Sequence, residues 1–201
     1  MDNEKIEIRL FHLSDLPNLY EICLKTGDSG KDATKLYKDR NLLGHFYAAP
    51  YAIFEPELTF VVTLNNIPKG YILGTKNSKL FSEKCETQWL PELRKKYHLP
   101  NKEDTSADAN IIRLIHKGYV IKDELKNYHA HLHIDLLPDL QKKGLGKRLI
   151  YIFIDKLKLL KVPSLHLEVG KKNKKAILFY EKVGFHKIHE YEYSIAYGMN
   201  L

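Results

Sequence analysis

The chain is poor in cysteine, holds a single tryptophan and has no long apolar run. Its two cysteines, Cys23 and Cys85, have no CxxC partners, so neither a zinc-ligand pattern nor a disulfide framework is expected. No stretch approaches the roughly 20 apolar residues of a membrane span. The opening MDNEKIEIRL also lacks the basic start and apolar core of a secretory leader. A cytoplasmic protein with reduced thiols and no membrane partner is therefore the expectation. GxxxxGK[ST] and GxGxxG are both missing, which excludes the P-loop and the dinucleotide fingerprint.

What is abundant is lysine. Lys and Arg number 32 against 25 Asp and Glu, for a formal charge of +7. Such a surplus draws nucleic acid, anionic membranes or a phosphorylated small molecule. Outside KKNKK at 171–175 there is no basic run interleaved with aromatics and no reading helix, so a nucleic-acid partner is not expected. With 201 residues, 44% of them hydrophobic, one core suffices, and a single domain over 1–201 is predicted.

Periodicity gives the element order. EKIEIRL alternates as a strand; from Ser14, read as a helix cap, SDLPNLYEICLKT has apolar residues at helical spacing. After the break GDSGKDAT, residues 35–51 predict a short helix and loop. ELTFVVTL and YILGTK form a hairpin about the turn NNIPKG. Residues 76–128 form an insertion holding two helices, QWLPELRKKYHLP and SADANIIRLIHKG, too poor in apolar positions for a core of its own. Then follow strand HAHLHIDLLP, helix GLGKRLIYIFIDKLKLL, strand SLHLEV, helix KKAILFYEKVG and closing strand material from Phe185. Alternation of this kind predicts an α/β fold, a mixed sheet flanked by helices, with a helical insertion before the fourth strand.

The two β-then-α units, 129–160 and 164–184, place their strands parallel and adjacent. The first helix opens in QKKGLGK, whose free N–H groups and dipole suit an anion. Gly144 and Gly146 either keep side chains out of an anion's way or merely relieve a tight turn. Lys142, Lys143, Lys147 and Arg148 add positive charge.

QKKGLG fits the pattern [QR]-x-x-G-x-[GA], and NKKAILFYEKVGF fits N-x-x-A-x-x-F-Y-x-x-x-G-F. On these two motifs the chain resembles the GNAT superfamily of acyl-CoA N-acyltransferases over about residues 5–195. CLKTGDSGKDAT, LLGHFYAAPYAIFEPELTFVV, GYILGT, WLPELRKKYHLP and HLHIDLLPDLQ look like the acetyltransferase-like domain of animal protein O-GlcNAcases and its free-standing bacterial relatives. The bacterial relatives keep the acetyl-CoA loop, as this chain does; in the animal domain it is degraded.

The resemblance implies an acetyl-CoA-dependent N-acetyltransferase acting on a primary amine by direct attack. The alternative it leaves open is a weakly catalytic acetyl-CoA-binding or protein-recognition module. The amides from Gln141 through Lys142, Lys143, Gly144, Leu145 and Gly146 to Lys147 would take the coenzyme's diphosphate. Its pantetheine arm would run along Ile134 and Leu136, with the thioester near Asp135. Asn173 would steady the coenzyme, or serve only as an N-cap. Tyr180 would act as acid or anchor for the departing thiolate, since a phenol is protonated at neutral pH; without the motif it reads as a core aromatic.

His129, His131, His133 and Asp135 alternate, so all four share one strand face. Neighbours along that row stand about 6.5 to 7 Å apart, too far for compact first ligation, so no metal is expected. A base or water relay is one reading, and the resemblance implies Asp135 or His133 in that role, through water, with His131 behind. Pairing of some of them with the insertion is the other. Asp28 and Asp32 in TGDSGKD can attract a cationic amine or cap a following helix; Glu55, Trp89 and Tyr97 are further cleft candidates. The acceptor class stays open, small-molecule or protein amine, as does monomer against homodimer.

Overall fold

The computed structural model describes residues 4–201. Strand β1 (Ile6–Leu10) leads to α1 (Leu16–Thr26), then α2 (Leu42–Tyr47) and α3 (Ala49–Phe54), the hairpin β2 (Phe60–Leu64) and β3 (Ile67–Thr75), and helices α4 (Ser78–Gln88), α5 (Leu90–Lys96) and α6 (Ala107–Lys117). Strand β4 (Ala130–Leu136), α7 (Leu145–Leu159), β5 (Ser164–Gly170), α8 (Lys174–Lys182), β6 (His186–Glu190) and β7 (Ser194–Asn200) complete it. The strands form one seven-stranded sheet in the order β1-β2-β3-β4-β5-β7-β6.

Every neighbouring pair is antiparallel except β4–β5, whose parallel ladder is confined to Ala130 opposite Leu165 and His131 opposite His166. Beyond His131 the two strands part. The Leu137 N–H donates to Lys69 O at 2.9 Å, on the β3 side. Because strand polar groups alternate in direction, those of Leu136 and Ile134 point the other way, into the gap.

Each sheet face carries its own core. One face of β3 and β4 packs with α1 to α6 through Leu19, Ile22, Tyr51, Tyr71, Leu73 and Phe81. The opposite face packs with α7 and α8 through Ile72, Leu132, Leu149, Phe153, Leu167 and Val183. In α7 the buried residues Leu145, Leu149, Ile150, Phe153, Ile154 and Leu157 fall on one helical stripe. Phe153 is fully buried, worth about 1.5–3 kcal/mol of transfer free energy. Its ring lies so near Gly74 that a Cβ there would stand 2.7 Å from it.

Several elements differ from the sequence reading. The cap before α1 is made by His12 and Asp15, not Ser14. Asp15 Oδ2 accepts from the His12 N–H at 2.8 Å, and the buried carboxylate also takes both Arg9 nitrogens, at 2.6 and 2.8 Å. Residues 35–51 hold parts of two short helices rather than one. The hairpin turns on Asn65 and Asn66 alone, both at positive φ, with Ile67 already in strand. The closing segment is two strands.

The insertion has three helices, because α4 hides its pattern: only Ser78, Phe81 and Cys85 are buried along it. Asn77 Oδ1 starts that helix by accepting from the amides of Lys79 and Leu80, at 3.1 and 3.0 Å. The segment read as one helix breaks at Trp89, between α4 and α5. Phe81, Cys85, Leu90, Leu93, Ile111 and Ile115 of the insertion all join the core that α1 and α2 build. Among the described residues no helix is long and apolar enough to cross a membrane.

Candidate active site

The gap between β4 and β5 is flanked by the loop before α7. Lys142 and Gly144 both take left-handed backbone, φ 61° and 74°. Such alternation turns successive amides toward one side, the arrangement that receives an anion. Among the described residues the amides of Lys142 to Lys147 have no acceptor; the first helical bond is from Arg148 N to Gly144 O, 3.3 Å. The Gln141 amide departs from expectation, closing a turn onto Pro138 O at 3.1 Å. Its side chain instead donates to Leu136 O at 2.9 Å, tying the loop to the end of β4.

The two glycines do different things. At Gly144 a Cβ would meet nothing within 4 Å, so that side of the loop is open, while the positive φ favours glycine. At Gly146 a Cβ would lie 3.2 and 3.4 Å from the Phe179 ring, so this glycine seats α7 on α8. Lys143 Nζ pairs with Glu4 at 2.8 Å.

On the other side of the sheet, His131 and His133 converge on Tyr51 of α3. Tyr51 Oη is 2.9 Å from His131 Nε2 and 3.2 Å from His133 Nε2, and His131 Nδ1 is 2.8 Å from Ser78 Oγ. Ser78 spends its proton on His129 O at 2.9 Å, so His131 must donate from Nδ1. Burial pushes the His131 pKa well below its ordinary value, so the ring is neutral and Nε2 accepts from Tyr51. Tyr51 in turn accepts from His133 Nε2–H, and the Nδ1 lone pair of His133 is left unengaged. Burial, helped by His166, lowers His133 to about 4. His129 stands apart, with Nδ1 3.2 Å from Ser164 Oγ.

Asp135 lies one pleat further, at the parting of the strands. Tyr71 donates to its Oδ2 at 2.7 Å. Burial raises the Asp135 pKa, partly offset by hydrogen bonds from Tyr71 and Thr26. The buried Cys23 thiol is pushed far up by burial and then by the Asp135 charge, while burial pushes Cys85 up to about 12; both are thiols at neutral pH. The Tyr180 ring is buried, 5.7 Å from Phe185. Burial first and Asp135 second raise the pKa of its hydroxyl, which has no hydrogen-bond partner among the described residues.

Asn173 caps α8, its Oδ1 accepting from Ala176 N at 3.2 Å; a Cβ on Gly30 would lie 3.5 Å from its amide nitrogen, so the 27–32 loop reaches the start of α8. Asp28 pairs backbone to backbone with Lys31, and Asp32 Oδ1 accepts from Thr34 N at 2.8 Å in a turn that no helix directly follows. Glu55 binds Thr75 and the Lys76 amide, Trp89 donates to His45 O at 2.8 Å, and Tyr97 to Asp39 at 2.7 Å. None of Asp28, Asp32, Glu55, Trp89 and Tyr97 lines the large cavity beside the histidines, which has a volume of about 480 Å³.

Sequence reading missed Tyr51, Tyr71, Ser78 and His166. His166 was open to discovery, since it alternates with Glu168 on β5; its ring centroid is 5.4 Å from that of His131. Tyr51 carried no signal, being one aromatic among several in an irregular segment.

The loop of free amides at the head of α7 thus lies where the two parallel strands part. A sequence model of the Acetyltransferase (GNAT) family matches residues 28–185, and the chain belongs to that family. It is 24% identical over 188 residues to protein O-GlcNAcase of Rattus norvegicus, covering 92% of this chain but 20% of that protein, about one fifth of the relative's length. The crystal structure of SsHAT superposes with a TM-score of 0.91 at 33% identity, over 98% of each chain. The PaiA N-acetyltransferase of Thermoplasma acidophilum, solved with coenzyme A, shares the fold at a TM-score of 0.56 and 16% identity, over 98% of this chain and 99% of that one.

Proposed function

We propose that the chain is an acetyl-CoA-dependent N-acetyltransferase that acetylates a primary amine by direct attack. The observation that carries this is the opening between β4 and β5, which has unpaired loop amides at one end and Asp135 on the parting strand, close enough for its charge to act on the Tyr180 hydroxyl. The residues fit the coenzyme. Amides of Lys142 to Lys147 are free for a diphosphate, and the Gly144 side of the loop is open. Ile134 and Leu136 present strand-edge groups to an extended arm, with the Leu136 carbonyl already held by Gln141. Asn173 stands at the head of α8, beside the 27–32 loop.

Acetyl-CoA supplies an activated acetyl thioester. The chain's own residues manage protons around it. Tyr180 keeps its proton at neutral pH because burial and Asp135 both oppose its loss, so Oη is a donor. Asp135, and His133 through Nδ1, are the acceptors for the proton an attacking amine must shed. Tyr51 connects His133 to His131 and Ser78, holding the tautomer that exposes Nδ1. Both thiols being protonated supports direct transfer over an acetyl-cysteine.

Two measurements test this reading. Calorimetric titration with acetyl-CoA should show saturable binding, and thiol release over a panel of small amines and lysine peptides should show turnover. Absence of binding overturns the proposal. A second reading, a module that holds acetyl-CoA without turnover, is favoured by the depression of His133 to about 4, which makes it a weak base. Binding with no thiol release from any amine would select it.

A further inference from the structure

The roughly 480 Å³ cavity beside His131, His133 and His166 is described by what its lining has left to offer a ligand. Its walls include Phe46, Tyr47, Leu114, Val120, Ile121 and Leu125. Most of its hydroxyls are already committed: Tyr119 donates to Phe46 O, Ser78 to His129 O, Ser194 to Glu168 at 3.0 Å, and Tyr51 to the histidine pair. Tyr47 is the one lining hydroxyl without a partner among the described residues. The free side-chain partners along the wall are then the Tyr47 hydroxyl, His133 Nδ1 and the Lys117 ammonium, so a ligand rich in hydroxyls would trade water for fewer bonds than it needs, at a cost for each group left unpaired.

Charge points the same way. The lining has one carboxylate, Glu168, and Lys122 Nζ stands 2.7 Å from it. Lys117 is the other charged group, and burial keeps all three imidazoles neutral at pH 7. Asp135, at the parting of the strands, serves one amine at the reacting end. A second ammonium further in would find no free carboxylate and two lysines.

We propose that this cavity is the acceptor pocket, and that it takes a small monoamine with an apolar, ring-sized body in preference to polyamines, amino sugars or peptides. The inference rests on the amine-transfer reading above, and its test separates the two. Phenethylamine, putrescine, spermidine, glucosamine and a lysine tetrapeptide are titrated by calorimetry without any acyl donor, and the same amines are then assayed for thiol release. Phenethylamine should bind at least about tenfold more tightly than the others, or about 1.4 kcal/mol. Val120 is exposed at the cavity wall, so Val120→Asp should fold normally. The added carboxylate should raise putrescine affinity severalfold while weakening phenethylamine.

Binding of phenethylamine in this order, with no thiol released from any amine, would leave the pocket standing and overturn transfer. Turnover with spermidine, glucosamine or the peptide at equal or better efficiency would overturn the pocket inference and leave transfer standing. If no amine binds or reacts, both fall.

Discussion

Tyr71 and Asp135 sit directly opposite one another on β3 and β4, and the phenol donates to Asp135 Oδ2 at 2.7 Å. This hydrogen bond favours the carboxylate, while burial disfavours it and prevails. In Tyr71→Phe the favourable part is lost, so the Asp135 pKa rises further. If Asp135 takes the amine's proton, the acid limb of kcat/KM moves to higher pH, and stability drops by about 1.5–3 kcal/mol. An unmoved limb in the pH–rate profile would place the base elsewhere.

Tyr180→Phe tests the donor. The ring packing survives the change and the lost hydroxyl has no protein partner, so the denaturation midpoint should hardly move. Thiol release with a good acceptor should fall by about 10² or more, with acetyl-CoA affinity retained in calorimetry. Unchanged turnover would remove Tyr180 from the chemistry.

Tyr51→Phe should behave oppositely in stability. It strips a buried hydroxyl from between two imidazoles, 2.9 and 3.2 Å away, leaving His131 Nε2 and His133 Nε2–H unpaired. A cost of about 1–3 kcal/mol is expected in urea titration. NMR of the imidazole nitrogens should also show His133 losing its single tautomer, a change that ring packing alone would not cause.

The two loop glycines should separate packing from binding. Gly146→Ala brings a Cβ to 3.2 Å from the Phe179 ring, so it should lower stability by about 1–3 kcal/mol by overpacking. Gly144→Ala meets no neighbour but forces alanine to φ 74°, at about 1 kcal/mol. Thermal melts rank the two. Calorimetry with acetyl-CoA should show the larger affinity loss at Gly144, the residue on the open side of the loop.

Stability should fall in acid through the histidines. Burial lowers His133 and His166 to about 4 and His131 well below 6.5, so between pH 6.5 and about 4 the unfolded chain binds protons that the folded one refuses. Stability therefore rises with pH across that window, by at most about 1.4 kcal/mol per unit for each imidazole. Asp135 and Glu55 work in the other direction, since their raised pKa values let the folded state keep protons the unfolded state releases, but they are two carboxyls against four imidazoles, His45 being lowered by burial as well. Urea midpoints at several pH values in this window check the slope, which should flatten in His166→Gln; a flat wild-type profile contradicts the burial of these rings as neutral species.

What the sequence determined by itself was local. Alternation in HAHLHIDL and SLHLEV, the stripe of α7, and the motifs QKKGLG and NKKAILFYEKVGF were enough to place two β-then-α units and a glycine-bearing loop at the head of α7, because neighbours in the chain set both period and turn. Where its own pattern was weak, as in α4 with Phe81 and Cys85 carrying nearly all the burial, the helix depended on a core supplied by α1 and β3 and could not be read. The tertiary fold alone decided that Tyr51 bridges His131 and His133, that Tyr71 faces Asp135, and that Gly146 packs against Phe179. These pairs stand from 33 to 82 positions apart, and only the packing of helices on a shared sheet brings such residues into contact.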